Sequence, residues 1–372
     1  MRPLYQDHAE PNLSATSGNT GLWYDKFCDQ WSSDWDIESK LEWIKKITGS
    51  IGGAQLINEA ISRAIRLIDA SDGQFAIYKT DGRFVTGLGR DHPVENDFAW
   101  HHTLGTAYLP GTSVKGLVRA WATPDSDLSD LDRIFGPRGS GDIGVGDVVF
   151  LDALPSSPLK LEADVMTPHY APYYEDKTGG TPPADWHDPR PIPFLVVAPE
   201  QSFLFALLPR NSNDQQHRQD CQTVAGWLAE ALDWLGAGAK TAVGYGRFTP
   251  NQQMQRVLHD RLDQENTRIR AHRVLERRLA GLSALAAEFL KAADDQGWET
   301  NKDAFMANGV VEAWLDKIEA TPHRDAIDLL DALIRKHFPP GLLDYPDRIS
   351  GKKQRPDFKE RQRRIAHRLN RL

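Results

Sequence analysis

The chain has 372 residues, 40% of them hydrophobic, with 44 Lys and Arg against 52 Asp and Glu and a formal net charge of −8. That is enough for a large core in two or three structural units. The acidic balance excludes a stand-alone protein that grips nucleic acid by bulk electrostatics, because non-specific affinity comes mainly from phosphate neutralisation. Residues 1–250 carry 21 basic and 33 acidic side chains, and residues 251–372 carry 23 and 19. Any polyanion site in the first part is therefore expected to be a local strip, which favours a groove shared with neighbouring subunits over a stand-alone RNA-binding protein. Cys28 and Cys221 form no CxxC or zinc pattern, so a reduced cytoplasm is expected. The early Asp7 and Glu10 leave no apolar signal core, and no apolar run is long enough to span a bilayer.

Residues 1–72 are expected to form an aromatic-rich, helical N-terminal segment. Trp23, Trp31 and Trp35 admit two readings, packing onto a core or a subunit contact. Leu41, Ile44, Ile47, Leu56, Ile57, Ile61, Ile65 and Ile68 recur at helical spacing, with a break at Ser50–Gly53. From 73 to 250, strands are expected at Gln74–Tyr78, Phe84–Gly87, Val148–Ala153, Phe194–Ala198, Phe203–Leu208 and Gly246–Thr249, and helices at 113–122 and 220–235. This order is α+β and ferredoxin-like (RRM-type), a fold whose sheet can present RNA. Residues 166–192 form a long insertion between strands, and such loops are usually functional or disordered. Its His169, Tyr170, Tyr173, Tyr174 and Trp186 could stack on bases.

Residues 251–372 read as a helical extension. Arg256 through Arg278 alternate with acids, the pattern of a solvated face, and the apolar residues of 304–337 imply a small bundle. Residues 352–371 hold Lys352, Lys353, Arg355, Lys359, Arg361, Arg363, Arg364, Arg368 and Arg371 against only Asp357 and Glu360. This basic tail fits a nucleic-acid arm, a helix docked on an acidic neighbour, or a disordered tail.

Two motifs carry the functional reading. In Gly236-Ala-Gly-Ala-Lys-Thr-Ala-Val-Gly-Tyr-Gly-Arg-Phe248, four glycines (Gly236, Gly238, Gly244 and Gly246) bracket Lys240, Thr241 and Tyr245, and Arg247 follows. Exposed backbone N–H groups beside a cation suit phosphate. A nucleotide-binding P-loop is disfavoured, because it needs a Gly directly before its Lys and runs strand, loop, helix. Here Ala239 precedes Lys240, and the order is helix, loop, strand, with Gly236 stopping the helix. The second motif is Leu109-Pro-Gly-Thr-Ser-Val-Lys-Gly-Leu-Val-Arg-Ala-Trp121. Thr112 or Ser113 can cap a helix, Lys115 and Arg119 share one of its faces, and Gly116 leaves room for a close-lying chain.

Together the two motifs resemble the RAMP superfamily of CRISPR RNA-binding proteins. The family's Pro-Gly-Ser/Thr-Ser-x-Lys-Gly-x-x-Arg signature matches Pro110–Arg119, and its C-terminal glycine-rich loop matches Gly236–Phe248. Gly87–Glu95, which includes His92, resembles the family's first strand and following loop. Residues 164–197 resemble the sixth subunit of the type III-B Cmr effector. The resemblance covers roughly 80–250. It implies a ferredoxin-like domain in which Lys115, Arg119, Lys240 and Arg247 contact guide-RNA phosphates, with His92, Thr112, Ser113, Thr241 and Tyr245 nearby and the four glycines letting the chain lie close. It also implies that 166–192 is a thumb wedged into the guide–target duplex. The implied partners are CRISPR guide RNA, complementary target RNA and other Cmr subunits, including the repeated backbone subunit, with no cofactor or metal.

Catalysis is not expected. Relatives that cut RNA use a His base or a loop Asp, for which Asp81, Asp91, His92, His101 and His102 are candidates here. His187-Asp188 and His259-Asp260 lack the partner ligands of a metal phosphohydrolase. The alternative function is a stand-alone endoribonuclease that processes repeat RNA with His92 or His101 as base.

Overall fold

The computed structural model describes residues 18–28, 30–89, 91–124, 126–137, 144–307, 309–338, 343–346 and 356–372. Asp7, Glu10, Arg90, Lys352, Lys353 and Arg355 lie outside the described residues. The chain divides into two compact units, Met1–Leu262 and Asp263–Leu372.

The first unit opens with α1 (Thr20–Lys26), capped by the Asn19 side chain, and α2 (Lys40–Lys45), capped by Ser39. Trp23 of α1 is buried and stacks on Trp43 at 4.3 Å, so it serves packing; Trp35 is 62% exposed. Strand β1 (Gly49–Ile51) occupies the expected helix break and leads into α3 (Ala54–Ala70). Then come β2 (Gln74–Thr80), the short pair β3 (Trp100–His101) and β4 (Thr106–Ala107), α4 (Gly111–Ala122) and α5 (Leu128–Phe135). The chain continues through β5 (Val148–Phe150), β6 (Leu154–Pro155), β7 (Leu159–Met166), α6 (Ala171–Glu175), β8 (Ile192–Val197) and β9 (Ser202–Pro209). It closes with α7 (Gln215–Trp234), β10 (Phe248–Pro250) and the start of α8 (Gln252–Leu279).

The main sheet runs β10-β2-β9-β5, all antiparallel, with β6 also on β9. This is the ferredoxin-like order, with α4 and α7 as the two crossover helices. Both faces of the sheet are covered. Tyr78, Phe203, Phe205 and Leu207 point toward α4 and α7, while Ile77 and Leu204 pack on Ile57, Ile61 and Ile65 of α3 and Leu258 of α8. The period-2 alternation of β2 and β9 sends every second side chain to each side. The expectation that the sheet face presents RNA is therefore corrected: α3 and α8 occupy that face.

A second sheet, β1-β7-β8, was not anticipated as such. Phe84–Gly87, expected as a strand, joins it at the isolated Phe84–Val197 bridge, with Val85 packed on Phe194 and Val196. The hairpin β7–β8 carries the 166–192 insertion at its tip.

The second unit is helical. It comprises the rest of α8, then α9 (Ala284–Asp295), α10 (Lys302–Met306), α11 (Val310–Ala320), α12 (Arg324–His337) and α13 (Pro356–Leu369). Its core centres on Phe289, Trp298, Phe305, Trp314 and Ile365. The basic α13 lies against α11: Arg361 pairs with Glu312, and Arg368 with Glu319 and Asp316. Of the three readings of the basic tail, these two arginines fit docking on acids, and those acids belong to the same chain.

Candidate nucleic-acid interface

Helix α4 begins at Gly111, two residues before the start that a Thr112 cap would give. Its N-cap is Pro110, no side chain caps it, and Thr112 and Ser113 sit exposed in the first turn. Their capping role is thus corrected. The Gly111 N–H instead donates to Asp152 Oδ1 at 2.7 Å, and a Cβ on Gly111 would overlap the Phe150 carbonyl oxygen. Val114 and Val118 face the core, leaving Lys115, Gly116 and Arg119 on the outer side.

On that side Lys115 lies in a cationic neighbourhood. Burial first, then the Arg119 and Arg210 guanidiniums, hold its ammonium below the ordinary lysine value. Arg119 is largely committed inward. It donates to the Gly136 carbonyl and to Asp132 Oδ1, both at 3.2 Å, and lies over the Phe135 ring. Arg210 was not singled out in the sequence, because it lies some ninety residues further on and only the fold brings it close.

The glycine-rich loop has a different physical basis from the one expected. Gly236 (φ +73) ends α7, its N–H donating to the Ala231 carbonyl. An added Cβ would meet Gly246 backbone at Gly236, the Val85 carbonyl and Phe84 ring at Gly238, and the Ala237 carbonyl at Gly246. All three have positive φ. The close approach these glycines permit is therefore by the protein's own backbone: Ala237 N–H to Gly246 O at 2.8 Å, Ala239 N–H to Val85 O at 2.9 Å and Gly246 N–H to Arg83 O at 2.8 Å. This corrects the expectation that they make room for RNA. Gly244 (φ +97) alone of the four opens to space.

The loop lies on the second sheet, with Ala239 and Tyr245 against Val85, Phe194 and Val196. Lys240 is in the left-handed region (φ 59), its ammonium 5.5 Å from the centre of the Phe194 ring. Thr241 starts a short 3-10 turn, Thr241–Val243. The Tyr245 hydroxyl donates to Asp164 Oδ2 at 2.6 Å, and burial, then Asp164, push its pKa up to about 12. Arg83, missed in the sequence, also pairs with Asp164. Arg247 donates to the Asp233 and Trp234 carbonyls, closing the negative end of α7. Its expected phosphate contact competes with that structural duty.

His92, for which the sequence admits either an RNA contact or a loop-fixing role, is turned inward. Its side chain is 8% exposed, stacked 5.0 Å from the Tyr24 ring at an interplanar angle of 2°. Its Nδ1 accepts from the Val94 N–H at 3.3 Å, so it fixes the loop from inside. Asp25, His92 and Asp97 bring potential metal-ligand atoms within 4.8 Å of one another. With Nδ1 accepting, the neutral ring carries its proton on Nε2, which leaves no lone pair there for a metal. His101 Nδ1 likewise accepts a backbone N–H, that of Leu104.

In the insertion, Tyr173 and Tyr174 form an edge-to-face pair on α6, and Tyr170 donates to Asp185. His169 is exposed, Tyr174 is 75% exposed and Trp186 is 79% exposed. These rings project rather than pack the loop's base.

Residues 77–249 match the family model described as the RAMP superfamily. That match spans just under half of the chain, which is similar to the superfamily over this stretch. Among RAMP relatives, the Cmr6 subunit of the Cmr CRISPR system from Pyrococcus furiosus is 30% identical over 231 residues, covering 46% of this chain and 66% of that protein. Cmr6 from Saccharolobus solfataricus is 29% identical over 146 residues, covering 38% and 44%. The chain thus spans just under two thirds of one relative and under half of the other. A type III-B Cmr-beta structure bound to cognate target RNA aligns at 21% identity over 65% of this chain and 84% of the matched chain, with a TM-score of 0.47. Among the described residues, no helix is long and apolar enough to cross a membrane.

Proposed function

We propose that this chain is a RAMP protein, a non-catalytic, guide-RNA-binding structural subunit of a type III-B CRISPR ribonucleoprotein. It lies toward the 3′ side of the guide, beside the repeated backbone subunit, and assists assembly and target-RNA recognition in antiviral defence. The cytoplasm is its compartment. The observation that carries the reading is the Lys115 environment. Burial, then the Arg119 and Arg210 guanidiniums, depress the ammonium, on a helix whose first-turn hydroxyls are exposed. A phosphate there relieves like-charge repulsion around Lys115 and meets the exposed hydroxyls of Thr112 and Ser113. The similarity to Cmr6 supports the choice of complex. The inward-turned His92 disfavours the form of the endoribonuclease alternative that uses it as base, since its ring is closed to substrate.

The test uses Lys115→Ala with Lys240→Ala in the full chain, purified with its co-assembling proteins and RNA. Guide occupancy is expected to fall by roughly tenfold at physiological salt as two phosphate contacts are lost, with the thermal melt of the isolated chain unchanged. Arg119 and Arg247 are poor choices for this test, because both hold internal carbonyls. Wild-type occupancy in the double variant would refute the proposal.

A further inference from the structure

We propose a second RNA contact, for phosphodiester backbone, in the groove between α3 and α8 on the opposite side of the main sheet from α4. The proposal rests on the reading above that the chain works in an RNA-containing complex.

The groove has a volume of about 640 Å³ and is lined by Gln55, Asn58, Ser62, Arg63 and Arg66 of α3 and Arg261 of α8, with Glu59 as its one acid. The α3 residues follow from helical spacing. Ile57, Ile61 and Ile65 point into the core, so the stripe beside them faces the groove. From Gln55 to Arg66 that stripe runs about 16 Å at 1.5 Å per residue. Leu258 holds α8 in the same core cluster. Arg261 is fixed across the groove: its guanidinium donates to Ser62 Oγ at 2.6 Å, while that hydroxyl donates to the Asn58 carbonyl at 2.9 Å. Glu59 is engaged by the Gln55 amide at 3.0 Å.

Three guanidiniums with Asn, Gln and Ser donors are the side chains that bind phosphate and sugar. The lining contains no aromatic ring, so bases are not stacked and sequence is not read. It also contains no apolar side chain, whereas protein partners are anchored by buried apolar or aromatic residues at the interface centre. The chemistry favours an RNA backbone over an acidic peptide. Arg63 and Arg66 belong to residues 1–250, where acids outnumber bases by 33 to 21, so with Arg261 beside them the groove stands against the charge of that part of the chain.

The experiment purifies the full chain with its co-assembling proteins and RNA and measures RNA per chain across a salt series. Three forms are compared: wild type, Arg63→Glu with Arg66→Glu, and Lys115→Ala. For the arginine double variant, the log–log salt slope is expected to be shallower by about 1.4, two contacts at about 0.7 each for single strands, with full subunit composition and an unchanged melt. Arg261→Gln is expected to shift the slope the same way by about half as much. An unchanged slope overturns the inference and leaves a solvated face. An unchanged slope with loss of a subunit overturns it in favour of a protein partner. If Lys115→Ala loses RNA and the arginine variants do not, only the groove fails; if the wild-type complex carries no RNA, the functional reading fails first.

Discussion

Gly246 and Gly116 respond in opposite ways to an added methyl group. At Gly246 a Cβ would overlap the Ala237 carbonyl oxygen, and φ is +70. Gly246→Ala should cost more than about 2 kcal/mol, since neither the left-handed conformation nor a backbone neighbour can yield cheaply. Gly116 lies inside α4 with nothing near its missing Cβ. Gly116→Ala should therefore stabilise the chain by about 0.5–1 kcal/mol through helix propensity, while lowering guide occupancy if a phosphate chain lies against that face. Urea midpoints read the first effect and RNA per chain the second. His92 gives a pH signature. Burial lowers its pKa, Asp97 opposes and Lys26 assists. In the unfolded chain His protonates near pH 6.5, but the folded ring resists. As pH falls below that value the unfolded state binds the extra proton, so stability rises with pH across the window and is lost toward acid. Replacing His92 with Gln should flatten this slope in melts between pH 7 and 5, and an unchanged slope would remove His92 as its source.

At the scale of elements, β7–β8 and its tip carry the clearest separation of folding from function. Tyr174 and Trp186 are exposed and contribute little to the core. Tyr174→Ala and Trp186→Ala should leave the melting temperature within experimental error. Each should weaken target-RNA binding by the assembled complex by about 1–3 kcal/mol if the rings stack on nucleotides. Equal affinity in both variants would reduce the insertion to a surface loop. The same hairpin shows what the sequence carried and what it did not. Leu159-Lys-Leu-Glu-Ala-Asp-Val-Met166 has the apolar–polar alternation of a strand, yet it went unread, and the second sheet with it. The apolar stripe Ile57, Ile61, Ile65 was legible as a helix face, but its partner was not. That partner is β2 and β9 plus Leu258, almost two hundred residues away. The open sheet face followed from fold analogy, and non-local packing closed it. In the glycine loop, composition announced the left-handed backbone, and Gly236 does end α7. The identity of what fills the space, Val85 and Ala237 backbone, depended on tertiary contacts that no local pattern encodes.

At the scale of the whole molecule, the charge division between the two parts acquires a structural meaning in the second unit. The basic α13 spends Arg361 on Glu312 and on the carbonyls of Met306 and Ala307, and Arg368 on Glu319 and Asp316. These pairs tie the C-terminal helix to α11, while Ile365, Ala366 and Leu369 enter a core with Phe289, Trp298 and Trp314. Ser283 caps α9 and is held by Asp325 at the start of α12. A unit with its own core and its own caps should fold alone. A fragment of residues 280–372 is therefore expected to show a helical circular-dichroism spectrum and one cooperative melt. Within it, Arg361→Ala should cost about 2–3 kcal/mol, because it strips charged hydrogen bonds from the half-buried Glu312 carboxylate and removes a donor from the Met306 carbonyl. A fragment that stays unfolded, or a melt indifferent to Arg361, would mean that the bundle draws its stability from the rest of the chain and that α13 only rests on it.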